Sequence, residues 1–483
     1  MRLGLLISRR LFVCLVLVWG GSAAAAMLPA PFTAALRDAR IPLEAVTLIV
    51  QPVDAPQPVL SHQAARAMNP ASVMKLVTSL AALQSLGPAF TWKTEIWADG
   101  EIKDRMLTGD LIIKGYGDPT LTLERMWLMQ REIRAHGINE IQGNLVLDTG
   151  YFDLPAPDPG ALDGEPLALY NAVPAALLAN YNATALKLTV VGDAVVITPE
   201  LSLPELTLTS YLVLDEAACG EWKDRLRPVT TKLLLREVVF EGRYARDCGE
   251  KHLSLNIFEP TQNFDATFRA LWAESGGRLT GSTRRGAAPI DTPPLLSFPS
   301  IPLADALRNL NKYSNNLMTR NVFLTLGAER SDSPATLEKS THAVHAWLME
   351  KQIHAPELVL ENGAGLSRVE RISAETLSRV LLAAYHSPNF SEFESALPIL
   401  AVDGTLKRRF TDSPLAGRAH LKTGSLNDVR ALAGYVFNRA GKRMVFVMLV
   451  NHAHADNAEA AQRALLEWTY AYRPAPARKR SKK

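Results

Sequence analysis

A long apolar run opens beside Ser72. Val73, Met74, Leu76, Val77, Leu80, Ala81, Ala82 and Leu83 make it up, and Gly87-Pro88 ends it. Gly followed by Pro is a helix stop signal. The run is apolar nearly all round, so it predicts a helix buried inside a domain. Ahead of it, Ala45 to Val53 and Val59 to Gln63 read as strands. Near the C-terminus Ala419 to Leu426, Ala431 to Phe437 and Arg443 to Val450 read as three more. The last two flank the turn-like Asn438-Arg439-Ala440-Gly441-Lys442, and Glu459 to Tyr470 follows as a helix. The sheet expected is antiparallel, with strands from both ends of the chain and the Ser72 helix packed on it.

Between these halves the pattern is mixed. Leu107 to Lys114 reads as a strand, Leu121 to Ala135 as a helix and Gly143 to Asp148 as a strand. Alternating segments follow at Ala185 to Val191, Ala194 to Thr198, Leu206 to Leu214 and Leu233 to Phe240, and then a helix from Glu259 to Ala273. Residues 93–287 therefore form an insertion of mixed α and β structure. The enclosing domain is discontinuous, residues 27–92 and 288–472. It returns with a helix pair over Ile301 to Leu326 and a further helix over Leu377 to Tyr385.

Length and composition agree with several soluble domains: 483 residues, 47% hydrophobic and 21% charged. The N-terminus differs. Arg2, Arg9 and Arg10 precede the apolar run Leu11 to Trp19 and then Gly20-Gly21-Ser22-Ala23-Ala24-Ala25-Ala26. That is the layout of a cleavable signal peptide over residues 1–26. The run is short for a membrane span, and retention as an uncleaved anchor is the alternative. Export to the periplasm makes the cysteines informative. Cys14 leaves with the signal, and Cys219 and Cys248 remain as an even pair in an oxidising compartment. A bond between them stabilises by about 3–4 kcal/mol on the loop-entropy model; two buried thiols are the alternative. Net charge is +3, with basic residues concentrated in the signal and in the acid-free tail 473–483, so the body between is net acidic. Such a tail predicts disorder, either solvated with no partner or in weak contact with anionic envelope surfaces.

Three short motifs carry the candidate chemistry: Ser72-Val73-Met74-Lys75, Ser314-Asn315-Asn316 and Lys422-Thr423-Gly424. Ser72 to Lys75 is the only Ser-x-x-Lys in the chain and Lys422 opens its only Lys-Thr-Gly, whereas Ser-x-Asn also occurs at Ser254 and Ser425. Serine needs a base before it attacks a carbonyl. No Gly-x-Ser-x-Gly elbow is present. Lys75 shares the first helical turn with Ser72 and can be that base if burial lowers its pKa from about 10.4. Lys422 and Thr423, on a strand, offer a cation and a hydroxyl to a carboxylate, with Gly424 leaving room for substrate along the strand edge. Lys422 is expected to stay cationic. The Ser72 and Ser425 N–H groups form the expected oxyanion hole. Ser314 and Asn316 relay a proton and hold the substrate amide. His452-Ala453-His454-Ala455-Asp456, His342 and His345 lack the spacing of a metal site, so neither metal nor cofactor is expected.

The set and its order match penicillin-binding proteins and serine β-lactamases. Two further loops, Glu361-Asn362-Gly363-Ala364-Gly365-Leu366-Ser367-Arg368 and Asp403-Gly404-Thr405-Leu406, extend the match, as does Tyr116-Gly117-Asp118-Pro119-Thr120. Together with the long insertion, they make the chain resemble the D-alanyl-D-alanine carboxypeptidase/endopeptidase family. These are the class C low-molecular-mass penicillin-binding proteins, of the penicillin-binding protein 4 type. The resemblance implies an α+β fold: a transpeptidase-like domain, antiparallel sheet with helices on both faces, carrying a large mixed insertion. It implies a serine D,D-peptidase that cleaves D-alanyl-D-alanine and D-Ala-meso-diaminopimelate-type bonds in peptidoglycan stem peptides through an acyl-enzyme, and is acylated by β-lactams. Ser72 is then the nucleophile, Lys75 the base, Ser314 and Asn316 the relay. Lys422, Thr423, Gly424 and Ser425 bind substrate, Asp148 and Phe152 lean in from the insertion, and Arg368 and Asn427 contact the stem peptide. The chain departs from the family at Tyr116, where Gly is common, and at Asn427, where glutamine-like residues occur. No nucleic-acid partner is implied. A β-lactamase-like hydrolase shares the motifs but normally has a shorter gap between them. A cell-wall-binding protein with a vestigial site would have lost motif residues, and none is missing here.

Overall fold

The computed structural model describes residues 27–156, 158–230 and 237–473. The expected signal peptide, the basic tail beyond Arg473 and residues 233–236 of the expected Leu233 to Phe240 strand lie outside the described residues.

Five antiparallel strands form the central sheet, in the order Leu60–His62, Val46–Pro52, Arg443–Asn451, Val429–Phe437, Ala419–Leu426. Both faces of this sheet are covered, which explains the unbroken apolar reading of its inner strands. Side chains alternate between faces. Ile49, Val445, Val447, Leu449, Ala431 and Tyr435 point into one core, with the helices Lys75–Leu86, Asn316–Arg330, Leu337–Glu350 and Ala374–Tyr385. Leu48, Val50, Phe446, Met448, Leu432 and Val436 point into the other, under the helices Ala30–Asp38 and Glu459–Ala471. The first of these two helices is absent from the sequence reading, where Pro29 and Pro31 interrupt its pattern; both prolines sit at its start, where a missing N–H costs nothing.

The insertion holds two cores. In the first, Asp110–Gly115 and Leu145–Asp148 pair in parallel, joined by the helix Leu123–Ala135. Lys93–Asp99 and Thr283–Arg285 extend that sheet, and Leu296–Pro299 completes it. The insertion's last strand thus lies beyond residue 287. The second core surrounds Glu237–Ala245, which pairs with Leu226–Thr230 and, in parallel, with Thr207–Ser210 and Val213–Asp215. The expected Leu206 to Leu214 strand is therefore two strands, broken at exposed Tyr211. Cys219 and Cys248 are disulfide-bonded here. Thiol titration of the unfolded, unreduced mature protein is expected to find no free thiol; two would contradict the bond.

The helix Asn316–Arg330 joins insertion and catalytic half. Its Asn321 Nδ2 donates to the carbonyls of Gly117 and Ala175, at 3.1 and 2.9 Å. Gly117 has φ 86°, and a Cβ there would lie 2.5 Å from the Phe152 ring. The Gly117-Asp118-Pro119-Thr120 segment is thus a structural joint, with Asp118 accepting from the Thr120 N–H and hydroxyl.

Candidate active site

Ser72 sits on a 3-10 turn, Ala71–Met74, immediately before the helix that begins at Lys75. Ala71 has φ 45°, a left-handed conformation that a Cβ disfavours. Neighbouring elements hold it there. The Ala71 N–H donates to Asn69 Oδ1 at 2.9 Å, and Asn69 exchanges hydrogen bonds with Asn451 at the end of the central sheet. Asn69 Nδ2 also donates to the Ser367 carbonyl at 2.8 Å, in the loop of residues 361–368.

Two glycines let the flanking segments close on this turn. A Cβ on Gly424 would lie 2.4 Å from the Pro70 carbonyl oxygen, and one on Gly365 1.8 Å from that of Ala71. The space Gly424 leaves is occupied by Pro70 and Ala71, at the turn that carries Ser72.

Lys75 is fully buried. Its Nζ lies 2.9 Å from Ser72 Oγ, 2.6 Å from Asn316 Oδ1 and 2.5 Å from the Ala364 carbonyl. The last two atoms can only accept hydrogen bonds. As an ammonium Lys75 donates to all three oxygens; as a neutral amine, with two N–H groups and one lone pair, it can donate to the two acceptors and present its lone pair to the Ser72 hydroxyl. Burial, first, and then the nearby Lys422 charge hold Lys75 well below the usual lysine range; Arg320 adds to this, and Glu370 opposes it. Asn316 is fixed in the orientation required, because its Nδ2 donates to the Tyr170 carbonyl in the insertion at 3.2 Å. That contact gives the insertion a place in the site that the sequence did not reveal.

Lys422 is also fully buried, on the strand at the sheet's edge. Its Nζ donates to Ser314 Oγ at 2.8 Å and to the Thr423 carbonyl at 2.9 Å. Ser314 has φ 56° in the turn between the helices Leu303–Lys312 and Asn316–Arg330. Burial pulls the Lys422 pKa down to about 7, well below the ordinary lysine range. An arriving carboxylate favours its charged form.

The outer edge of the Lys422 strand changes partner along its length. The Leu421 N–H donates outward to the Pro398 carbonyl. By the two-residue alternation of a strand, the Thr423 and Ser425 N–H groups face the same open side. Ser425 N–H and Ser72 N–H, the latter in the unpaired first turn, are the available oxyanion donors. Thr405, in the Gly404–Leu406 turn, places its Oγ1 2.9 Å from Thr423 Oγ1. Buried Lys312, bonded to Asp403 at 2.6 Å, anchors that turn beside Ser314. A Thr405 hydroxyl donating to Thr423 frees the Thr423 proton for a substrate carboxylate. Thr405→Val is therefore expected to slow acylation by a free-carboxylate peptide by about fivefold to tenfold, the worth of one hydrogen bond. A peptide ending in an amide should respond little; equal losses for both would reject the role.

The remaining predicted residues are less closely gathered. Asp148 is buried in its strand and spent on Lys114, Gly150 N–H and Ala288 N–H, none of them a motif residue. Phe152 and Arg368 both line a cavity of about 600 Å³ between insertion and catalytic half, together with Arg320 and Asn362. Arg368 donates to the carbonyl of exposed Asn427, closing the loop against the end of the Lys422 strand. His452 and His454 lie ring to ring, and Asp456 pairs with Arg430. Glu370, which the sequence reading missed, is buried behind Lys75. Nothing in its local sequence marks it, because only folding brings the Glu361–Gly363 N–H groups around its carboxylate.

The family model for the D-Ala-D-Ala carboxypeptidase 3 (S13) family matches residues 29–472. The chain belongs to this family. It is 26% identical over 418 residues to the D-alanyl-D-alanine carboxypeptidase DacB of Haemophilus influenzae, covering 84% of this chain and 85% of that one. The D-alanyl-D-alanine carboxypeptidase of Actinomadura sp. strain R39 is 27% identical over 422 residues, 83% and 76% of the two chains. The crystal structure of penicillin-binding protein 4 from H. influenzae superposes with a TM-score of 0.78 at 25% identity, over 92% of this chain and all of that one. A crystal structure of the same protein complexed with a β-lactam gives 0.73. The α+β penicillin-binding-protein fold and serine-type D-Ala-D-Ala carboxypeptidase activity follow from this membership. Among the described residues no helix is long and apolar enough to cross a membrane.

Proposed function

We propose that Ser72 is the nucleophile of this serine D,D-peptidase and Lys75 its base. Ser72 Oγ attacks the carbonyl of the penultimate D-alanine of a peptidoglycan stem peptide, and its proton passes to the Lys75 lone pair. The Ser72 and Ser425 N–H groups take the negative oxygen. The proton that Lys75 took is passed through the Ser314 hydroxyl, which gives one proton and regains one, to the departing amine; neutral Lys75 then takes a proton from the water that hydrolyses the ester and returns it to Ser72 Oγ. Lys422, Thr423 and Thr405 receive the terminal carboxylate. The same steps on a cross-link release two stems. A β-lactam enters by the same attack and stays as an acyl-enzyme. The segment before residue 27 and the Cys219–Cys248 bond support export to the periplasm. One observation carries the catalytic assignment: buried Lys75, with two pure acceptors, 2.9 Å from Ser72 Oγ.

Digestion of purified muropeptides, with products separated by mass, tests it. The expected products are tetrapeptides and D-alanine from pentapeptides, and monomers from cross-linked dimers. Unchanged muropeptides would reject the activity for this chain.

A further inference from the structure

Glu370 has no part in the steps above, yet it is a fully buried carboxylate one loop away from the base. Its Oε1 accepts three backbone N–H groups, from Glu361 at 3.1 Å, Asn362 at 2.9 Å and Gly363 at 2.9 Å. The next residue, Ala364, turns its carbonyl to Lys75 Nζ at 2.5 Å. Thr78, one turn below Lys75, donates to the Gly363 carbonyl at 2.6 Å. Glu370 thus sets the loop that sets Lys75. Its other oxygen is buried and has no hydrogen-bond partner.

That arrangement exceeds what a structural anchor requires. A neutral side-chain amide could accept the same three N–H groups without the cost of a buried charge. The charge gains a purpose when Lys75 takes the Ser72 proton, because an ammonium then forms in a site that already holds Lys422 and Arg320. We propose that Glu370 is a positioning residue whose carboxylate offsets the charge that Lys75 acquires during acylation, so that the base titrates within a usable range. The inference rests on the assignment of Lys75 as base.

The charged groups around the pair come from three elements. Lys422 on the edge strand and Arg320 on the helix Asn316–Arg330 push the Lys75 proton off; Glu370 holds it on. Burial raises the Glu370 pKa, while the three N–H groups and Lys75 lower it. Burial lowers the Arg320 pKa, and Glu370 and then Glu361 oppose that.

The test is the rate of acylation by benzylpenicillin as a function of pH for wild type, Glu370→Gln and Glu370→Asp. Acylation needs neutral Lys75, so its rate falls as pH drops through the Lys75 pKa. Glu370→Gln keeps an oxygen for the three N–H groups and removes the charge. The Lys75 pKa then falls, and the acidic limb is expected to move toward acid by roughly one pH unit or more, the size of a close opposite-charge effect. Glu370→Asp keeps the charge and shortens the reach, so its limb should stay at the wild-type position with a lower plateau. A Gln limb superimposable on wild type would overturn the proposal and leave Glu370 as an anchor only. If wild type itself shows no acidic limb, the base assignment falls, and the inference with it.

Discussion

Replacing Ser72 by alanine is expected to abolish covalent labelling by a fluorescent penicillin and to remove D-alanine release by about a million-fold or to below detection. The loss is this large because no second hydroxyl can take over. Ser314 Oγ, the other motif serine bonded to a buried lysine, has as its partner Lys422, the amine assigned to the substrate carboxylate and not to proton abstraction. The fold should survive. Ser72 is only half-buried, and the turn beneath it is held by Asn69, Asn451 and the glycine approaches, none of which uses the Ser72 side chain. An unchanged thermal transition together with no label is the expected pair of results. Retained label at unchanged stoichiometry would move the nucleophile elsewhere.

Much of this site was legible because its chemistry needs short spacings. Ser72 and Lys75 must share a helical turn, and Lys422 and Thr423 must be neighbours on a strand, so each pair is a local word in the sequence. The central sheet was legible for the same reason: its inner strands are apolar on both faces. What stayed hidden depends on distant segments. The Tyr170 carbonyl that orients Asn316 comes from a part of the insertion with no motif of its own. Glu370 is ordinary in sequence and becomes special only when three N–H groups close on it. Gly424 was visible, but its reason was not, since Pro70 comes from the other end of the chain. Asp148, which the family resemblance draws toward substrate, is bonded in its strand to Lys114 and Ala288.

The two buried lysines are expected to separate cleanly under substitution by arginine. Arginine keeps its charge in any folded protein and cannot accept the Ser72 proton. Lys75→Arg should therefore cost about 10³-fold or more in acylation by a penicillin and by a D-alanyl-D-alanine peptide alike, within the range of a lost general base. The buried site adds to the loss, because Asn316 Oδ1 and the Ala364 carbonyl are arranged for an amine of lysine length. Lys422→Arg should keep a measurable fraction of activity and fall mainly in substrate affinity, by about tenfold, since a guanidinium still pairs with a carboxylate. The pH dependence distinguishes them further. With a pKa that burial lowers to about 7, Lys422 must gain a proton to bind a carboxylate at higher pH. Wild-type affinity for a free-carboxylate peptide should therefore weaken as pH rises above about 7. In Lys422→Arg the group stays charged, and that decline should disappear. Measuring KM from pH 6 to 9 for both enzymes reads this directly. A decline that persists in Lys422→Arg would place the titrating group elsewhere, and Lys75→Arg acylating as fast as wild type would end the assignment of Lys75 as base.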